Sequence, residues 1–398
     1  MSWPTVKLGD ICHFVRGPFG GALKKEIFVD DGYAVYEQQH AIYDQFDAIR
    51  YFINQKKFEE LKRFELNAGD LIMSCSGTMG RVAIVPKNIK RGIINQALLK
   101  LTPGSKLDLH YLKYCMESKL FQSSLNNETH GAAIKNVASV AVLKELKIPL
   151  PPITEQKRIA AILDKVEEIK CKREQIIARL NNLIGSVFEE RFGNPITNIF
   201  NWRIARLIDV CAGAGEYGAG VASREYSTDL PRYIRITDIT EDGLLEDKRV
   251  SPDGGENDWK GYALNDGDIV FARSGATVGK TYLHRYAKEE HIFAGYLIRF
   301  KPNREIINPD YLFAFTKTDF YKAWVKSRQN VVAQPNINAK QYGYDLELPV
   351  PPIALQNTFA NEIASINSNL ATQKVALNKL NALIESLQSQ AFTTGFNA

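Results

Sequence analysis

The sequence predicts an α/β protein built twice over: two similar domains separated by two long antiparallel coiled-coil helices, a pseudo-twofold (circular) repeat. Three observations carry this reading. The stretch from Ile153 to Arg191 follows Pro149, Pro151 and Pro152 and has no Pro and no interior Gly before Gly185, so it reads as one helix. LPVPPIALQ, from Leu348 to Gln356, repeats IPLPPITEQ, from Ile148 to Gln156, at an offset of 200, and a second helical stretch follows it. Shorter segments recur throughout at nearly the same offset, the mark of a duplicated unit.

Residues 1–152 form the first domain in this reading, and residues 193–352 the second. WPTVKLGDIC from Trp3 matches WRIARLIDVC from Trp202, and LNAGDLIMSCSGTMGR from Leu66 matches LNDGDIVFARSGATVGK from Leu264, with one extra residue in the second copy. NQALLKLTP from Asn95 matches AGYLIRFKP from Ala294, and Asn136 matches Asn336. Runs such as Asp70 to Ser76, Arg81 to Val85 and Asp268 to Ser274 are β-type and bounded by Gly turns. Tyr111 to Leu125 and Tyr311 to Val325 each read as a helix.

Residues 153–192 and 353–398 are the two helices. Thr154 is suited to cap the first, and Glu155 suits the positive end of its dipole. Apolar side chains recur at Ile159, Leu163, Val166, Ile177, Leu180, Ile184 and Val187, alternating steps of four and three around a polar break at Lys170 and Arg173. The second seam runs Phe359, Ile363, Ile366, Leu370, Leu377, Leu380, Ile384 and Leu387, with Gln373 in place of Arg173. A narrow apolar stripe needs a partner, and each helix offers the other one of matching length and phase. About 36 helical residues at ~1.5 Å each make a rod of roughly 50 Å. The short link GNPITNIFNW from Gly193 then starts the second domain at the far end of the rod, and the second helix runs back antiparallel.

Composition sets the outer limits. With 398 residues, 45% apolar and 24% charged, the chain has the make-up of a soluble protein with two or three cores. The longest apolar run, around Val137 to Leu143, is too short to span a bilayer and the N-terminus lacks an apolar signal region, so a cytoplasmic, membrane-free protein is expected. Five cysteines without a CxxC pair argue against disulfide and zinc frameworks and are expected to be buried thiols. The net charge of +5 permits a nucleic-acid partner, and it lies on the first domain: +5 over residues 1–152 against −1 over residues 194–352.

The order of these parts, domain, PLPPITEQKRIAAILDKV, helix, NP-containing link, domain, PVPPIALQ, helix, together with the GDI…SGxxGR/K segments, resembles the specificity (S) subunit of type I restriction–modification systems along essentially the whole chain. The second proline segment departs from the family in reading ALQNTFANEI where a Glu-Gln pair and basic residues are usual. The resemblance implies that each domain is a target-recognition domain reading half of a bipartite double-stranded DNA site. It also implies that the helices act as spacer and dock two methyltransferase (modification) subunits, with restriction subunits joining outside. The chain itself is then not an enzyme and needs no cofactor and no metal.

Three stretches mimic catalytic motifs. GAGEYG at Gly213 imitates a nucleotide-binding glycine loop, but its repeat partner DICHFVRGPFG does not keep the pattern. GATVGKT at Gly275 is one residue short of a phosphate loop. Asp253 and Asp258 with Lys260 are too close in sequence for a nuclease site on adjacent strands. The six histidines show no metal-ligand spacing and read as surface or satisfied polar residues. The alternative reading is a non-catalytic coiled-coil scaffold or interaction hub without sequence-specific DNA reading.

For DNA contact, chemistry asks for Arg and Lys against phosphates and for Arg, Asn, Gln, Asp or His against base edges. Candidates in the first domain are Arg16, Lys24, Lys25, Gln38, Gln39, His40, Ser76, Thr78, Arg81, His130 and Lys135. In the second they are Arg224, Arg235, Thr237, Asp238, Ser274, Thr277, Lys280, Gln329, Asn330 and Gln334. The two sets offer different donors and acceptors, so an asymmetric bipartite target is expected.

Overall fold

The two longest elements are the helices Ile153–Phe192 and Ile353–Thr393, here the central and C-terminal helices. They belong to a computed structural model that describes residues 3–76, 78–127, 140–329 and 335–395. The chain divides into two units, residues 1–174 with 375–398 and residues 175–374, so each contains part of each long helix.

In the first unit, Ile159, Ala160 and Leu163 near the start of the central helix share a core with Ala391 and Phe392 near the end of the C-terminal helix. In the second, Phe188 and Phe192 near the end of the central helix pack on Phe359 near the start of the other, with ring centroids 5.8 and 5.2 Å apart. Start packs against end in both units, so the helices are antiparallel, as the short link from Gly193 implies. Burying an aromatic side chain of this size contributes ~2–3 kcal/mol. Phe188 and Phe192 thus anchor the pair, although the predicted seam passes beside them.

Each unit has a four-stranded antiparallel sheet of the same topology. In the first its order is Cys12–Arg16, Leu98–Pro103, Leu71–Ser74, Val82–Ile84, and in the second Glu216–Tyr217, Leu297–Phe300, Ile269–Ala272, Thr281–Leu283. Beside it lies a parallel pair, Tyr33–Tyr36 with Gly92–Ile94 and Arg232–Ile234 with His291–Phe293. The repeated Leu-Asn-x-Gly-Asp has a local cause: Gly69 and Gly267 turn at φ +85° and +91°. Asp70 and Asp268 then accept from the amides of Asn67 and Asn265, both at 2.9 Å. Each globular part is closed by its first and last strands, Thr5–Lys7 on Lys147–Pro149 and Arg203–Arg206 on Glu347–Val350.

The proline segments also have a structural reason. Gln156 is fully buried, its Oε1 accepting from the Asp108 amide at 2.8 Å and its Nε2 donating to the carbonyls of Lys106 and Pro151 at 3.0 and 2.9 Å. Gln356 repeats this with Asn308, Ile306 and Pro351 at 2.8, 3.1 and 2.7 Å. The Gln is the functional letter of the motif, which is why the second copy keeps it while losing the neighbouring Glu. Tyr111 and Tyr311 donate to the carbonyls of Pro149 and Pro349 at 2.9 and 2.8 Å.

Four expectations need correction. Thr154 does not cap the central helix, which already begins at Ile153; the Pro152 carbonyl accepts from Glu155 and Gln156 instead. The segment 111–125 is not one helix but Leu109–Glu117 and Lys119–Asn127, because Ser118 Oγ accepts from the Phe121 amide and starts a new turn. Its counterpart breaks in the same way at Thr318, between Pro309–Phe315 and Asp319–Gln329. Cys12, Cys75 and Cys115 are buried thiols, but Cys171 is exposed and Cys211 half-buried.

His284 and His291 are buried with ring centroids 5.1 Å apart. Burial pushes His284 down to about 4, and it lowers His291 despite the bond to Glu289. A histidine whose folded value lies below its free value of 6.5 stabilises the fold fully above that pH. The contribution is lost as the pH falls toward 4. We expect the unfolding midpoint of the second unit to drop over that window. A His284→Asn, His291→Asn double variant should show a flatter profile; equal profiles would remove the pair as the cause.

Candidate nucleic-acid interface

The hairpin between Leu71–Ser74 and Val82–Ile84 is held by Ser74, whose hydroxyl donates to the Thr78 carbonyl at 2.6 Å and accepts from the Arg81 amide at 3.0 Å. Next to it Ser76 donates to Gln38 Oε1 at 3.2 Å, which joins the start of helix Gln38–Tyr43 to the hairpin. Arg16 ends the opposite edge strand, beyond Leu98–Pro103, and adjoins Cys75, whose thiol burial pushes up to about 12 while Arg16 opposes the shift. The Arg16 guanidinium lies 5.9 Å from the Phe19 ring centroid, and Phe19 is 72% exposed. The Arg16 Nε is buried with no hydrogen-bond partner among the described residues. Arg16, Gln38, Ser76 and the exposed Thr78 are therefore brought together at one end of the sheet.

The second unit builds the same place with other side chains. Ser274 bridges to Asn336, and Thr277 donates to the Ser274 carbonyl at 3.1 Å. Arg273 stacks over Tyr217, 4.8 Å from the ring centroid, and its Nε donates to Asn336 Oδ1 at 3.4 Å. Tyr217 is 42% exposed, and its hydroxyl accepts from the Ala339 amide at 3.1 Å. Strand pairing sets Tyr217 opposite Ile298 and Arg16 opposite Leu99, matching positions of the two repeats. Both units thus present an arginine against an aromatic ring, near Ser76 in one and Ser274 in the other.

Such an end of a sheet can do two things chemically: guanidinium and amide groups can read base edges or phosphates, and an exposed ring can lie against sugar or base. Among the described residues no cluster of three or more His, Cys, Asp or Glu side chains could hold a metal. The glycine-rich decoys resolve into ordinary elements. GAGEYG runs into the short strand Glu216–Tyr217 with no helix after it, and GATVGKT forms the one-turn 3-10 helix Gly275–Thr277 before strand Thr281–Leu283.

Two segments of this chain, residues 1–182 and 202–387, match the family signature described as the type I restriction modification DNA specificity domain. The chain belongs to that family. Membership makes it a DNA sequence-recognition component rather than a catalytic one. This specificity chain is 23% identical to the type I restriction enzyme MjaVIII specificity subunit of Methanocaldococcus jannaschii, over 92% of this chain and 86% of the relative. It is 21% identical to the EcoKI specificity subunit of Escherichia coli strain K12, over 73% of this chain and 66% of that one. The crystal structure of the type I restriction–modification S subunit from M. genitalium shares the fold, with a TM-score of 0.55, 17% identity and coverage of 98% and 96%.

Several candidate contacts of the specificity chain are corrected by their surroundings. His40 is fully buried, its Nδ1 paired with the Glu37 backbone at 2.9 Å and its Nε2 with the Ala48 carbonyl at 3.2 Å, so it closes its own helix. Asp238 is buried, and both its oxygens accept from the Arg235 guanidinium at 2.8 and 3.0 Å. Neither partner of that pair is free for a base, although Thr237 between them is exposed. Lys280 donates to the Ile239 carbonyl and pairs with Glu241 at 2.9 Å. Lys24, Lys25, Arg81 and Arg224 are exposed, and Gln39 and Gln329 half-buried. His130, Lys135, Asn330 and Gln334 lie outside the described residues. Sequence reasoning passed over Phe19, Tyr217 and Arg273; the signal for Arg273 was an arginine directly before a Ser-Gly turn.

Among the described residues no helix is long and apolar enough to cross a membrane.

Proposed function

We propose that residues 1–152 and 193–352 are two target-recognition domains, each reading one half of an asymmetric bipartite site on double-stranded DNA. Residues 153–192 and 353–398 serve as spacer and as the docking surface for two methyltransferase subunits, with restriction subunits completing the complex in the cytoplasm. The observation that carries this reading is the repeated sheet end with unequal side chains. Arg16, Gln38 and Ser76 in one half and Arg273, Asn336 and Tyr217 in the other present different donor and acceptor sets at the same end of the repeated sheet, with Arg16 and Tyr217 at matching positions. Matching positions suit related tasks, and unlike side chains suit unlike half-sites.

Co-expression with the neighbouring methyltransferase genes, followed by genome-wide mapping of modified adenines, tests it. A split, asymmetric motif is expected; a continuous or palindromic one would overturn the proposal. Inserting four residues near Asn181 adds about 6 Å of helix, close to two base steps of ~3.4 Å. The mapped motif should then keep both half-sites and change its spacer. Altered half-site bases with an unchanged spacer would contradict the spacer role.

A further inference from the structure

The second unit contains a cavity of about 610 Å³ between helices Pro309–Phe315 and Asp319–Gln329, the loop at Glu241 to Leu244 and the two long helices. That volume is in the range that holds a small organic ligand. The repeat explains why the space is there. In the first unit Tyr114 crosses the corresponding junction and donates to Asp164 at 2.7 Å, and Lys119 reaches Glu385 at 2.7 Å. At the offset of 200, Ala314 stands for Tyr114, and LIGSV at 183–187 stands for LIESL at 383–387, so Gly185 replaces Glu385. Ala314 and Gly185 both line the cavity, and a Cβ built on Gly185 meets nothing within 4 Å. Two truncations in the second copy therefore remove the side chains that bridge the first.

Among the described residues the charges around the space are paired except at two places, Lys317 and the exposed Glu189 of the central helix. Arg285 pairs with Asp310, Lys322 with Asp319 at 3.1 Å and Lys374 with Asp242 at 2.9 Å. Lys317, where the first unit has Glu117, makes no ion pair among the described residues. Its Nζ donates to Thr281 Oγ1 at 3.2 Å and to the Glu241 carbonyl at 3.4 Å, and lies 4.6 Å from the Phe313 ring centroid. A half-buried ammonium without a carboxylate favours an anion.

We propose that this cavity binds a small organic anion, its charged group meeting Lys317 and its apolar body resting on Ile184, Phe313 and Leu370. Such a ligand ties the recognition part of the second unit to the long helices that run beneath it. Burial lowers the Lys317 amine to about 7, with Asp242 and Glu241 opposing and Lys322 and Lys374 adding to the shift. Glu189, Arg285, Asp310 and Asp319 complete the charged lining. An anion favours the ammonium form, so binding takes up a proton and weakens as the pH rises above 7.

The test is a fluorescence titration of the purified full chain with anilinonaphthalene sulfonate and with its uncharged parent, phenylnaphthylamine. A saturable site for the sulfonate is expected, with the uncharged probe bound at least ~tenfold more weakly. Lys317→Met should weaken the sulfonate by a similar factor. Gly185→Glu restores the bridging carboxylate of the first unit at a position with room for it, and should close the site while the chain stays folded. Absence of a saturable site, equal affinity for both probes, or unchanged binding in Gly185→Glu would each overturn the proposal.

Discussion

Replacing Gln356 with Ala lowers the stability of the second unit by about 3 kcal/mol, and Gln156→Ala does the same to the first. Each side chain is fully buried and makes three hydrogen bonds, none of them to another side chain. Truncation leaves an amide N–H and two carbonyls without partners in a place water does not reach, and each such group costs ~1–3 kcal/mol. The bonds also tie the loop before Leu109–Glu117, or before Pro309–Phe315, to the first turn of a long helix. Glu in place of Gln tests the chemistry separately: it keeps the acceptor, loses both donors and buries a charge, so it should be at least as damaging. Urea denaturation followed by circular dichroism measures the loss. A change below ~1 kcal/mol in both Ala variants would show that the clamp is not structural.

The second large effect concerns reading. Arg273→Ala should relax the base requirement of one half-site and leave the other half and the spacer unchanged. A specific arginine contact accounts for ~1–3 kcal/mol of discrimination, enough to turn a fixed base in a methylation map into a degenerate one. Arg16→Ala should relax the opposite half. Tyr217 and Phe19, which back these two guanidiniums, should show smaller effects of the same sign. Loss of definition in both halves from a single substitution would mean that the arginine supports the fold or the complex rather than one half-site. An unchanged map in both arginine variants would move the reading surface elsewhere.

How far the sequence could be read depended on whether a signal was local. The long helices, the Gly-Asp turns and the duplication were legible, because a heptad seam, a positive-φ glycine and a repeated string each leave a mark within a few residues. The helix break at Ser118 was not, because apolar spacing continues across it and only a hydroxyl bonded to the Phe121 amide interrupts the turn. That cations such as Lys24 and Arg81 are exposed was recoverable from residue type alone. His40 and Asp238 were misjudged because a polar residue at a helix start serves equally well as its own cap, and the sequence does not say which use prevails. The pairing of Lys280 was hidden because its partner Glu241 arrives on a loop distant in the chain. The role of Gln156 was hidden for the same reason, since Lys106 and Asp108 lie about fifty positions upstream.

The strand pairs that close each globular part, Thr5–Lys7 on Lys147–Pro149 and Arg203–Arg206 on Glu347–Val350, bear on inheritance. Chain enters and leaves each body through two neighbouring strands, so a gene crossover at those two points transplants a whole body and leaves both long helices untouched. New pairs of bodies can then arise by exchange, without the many coordinated substitutions that redesigning one in place demands.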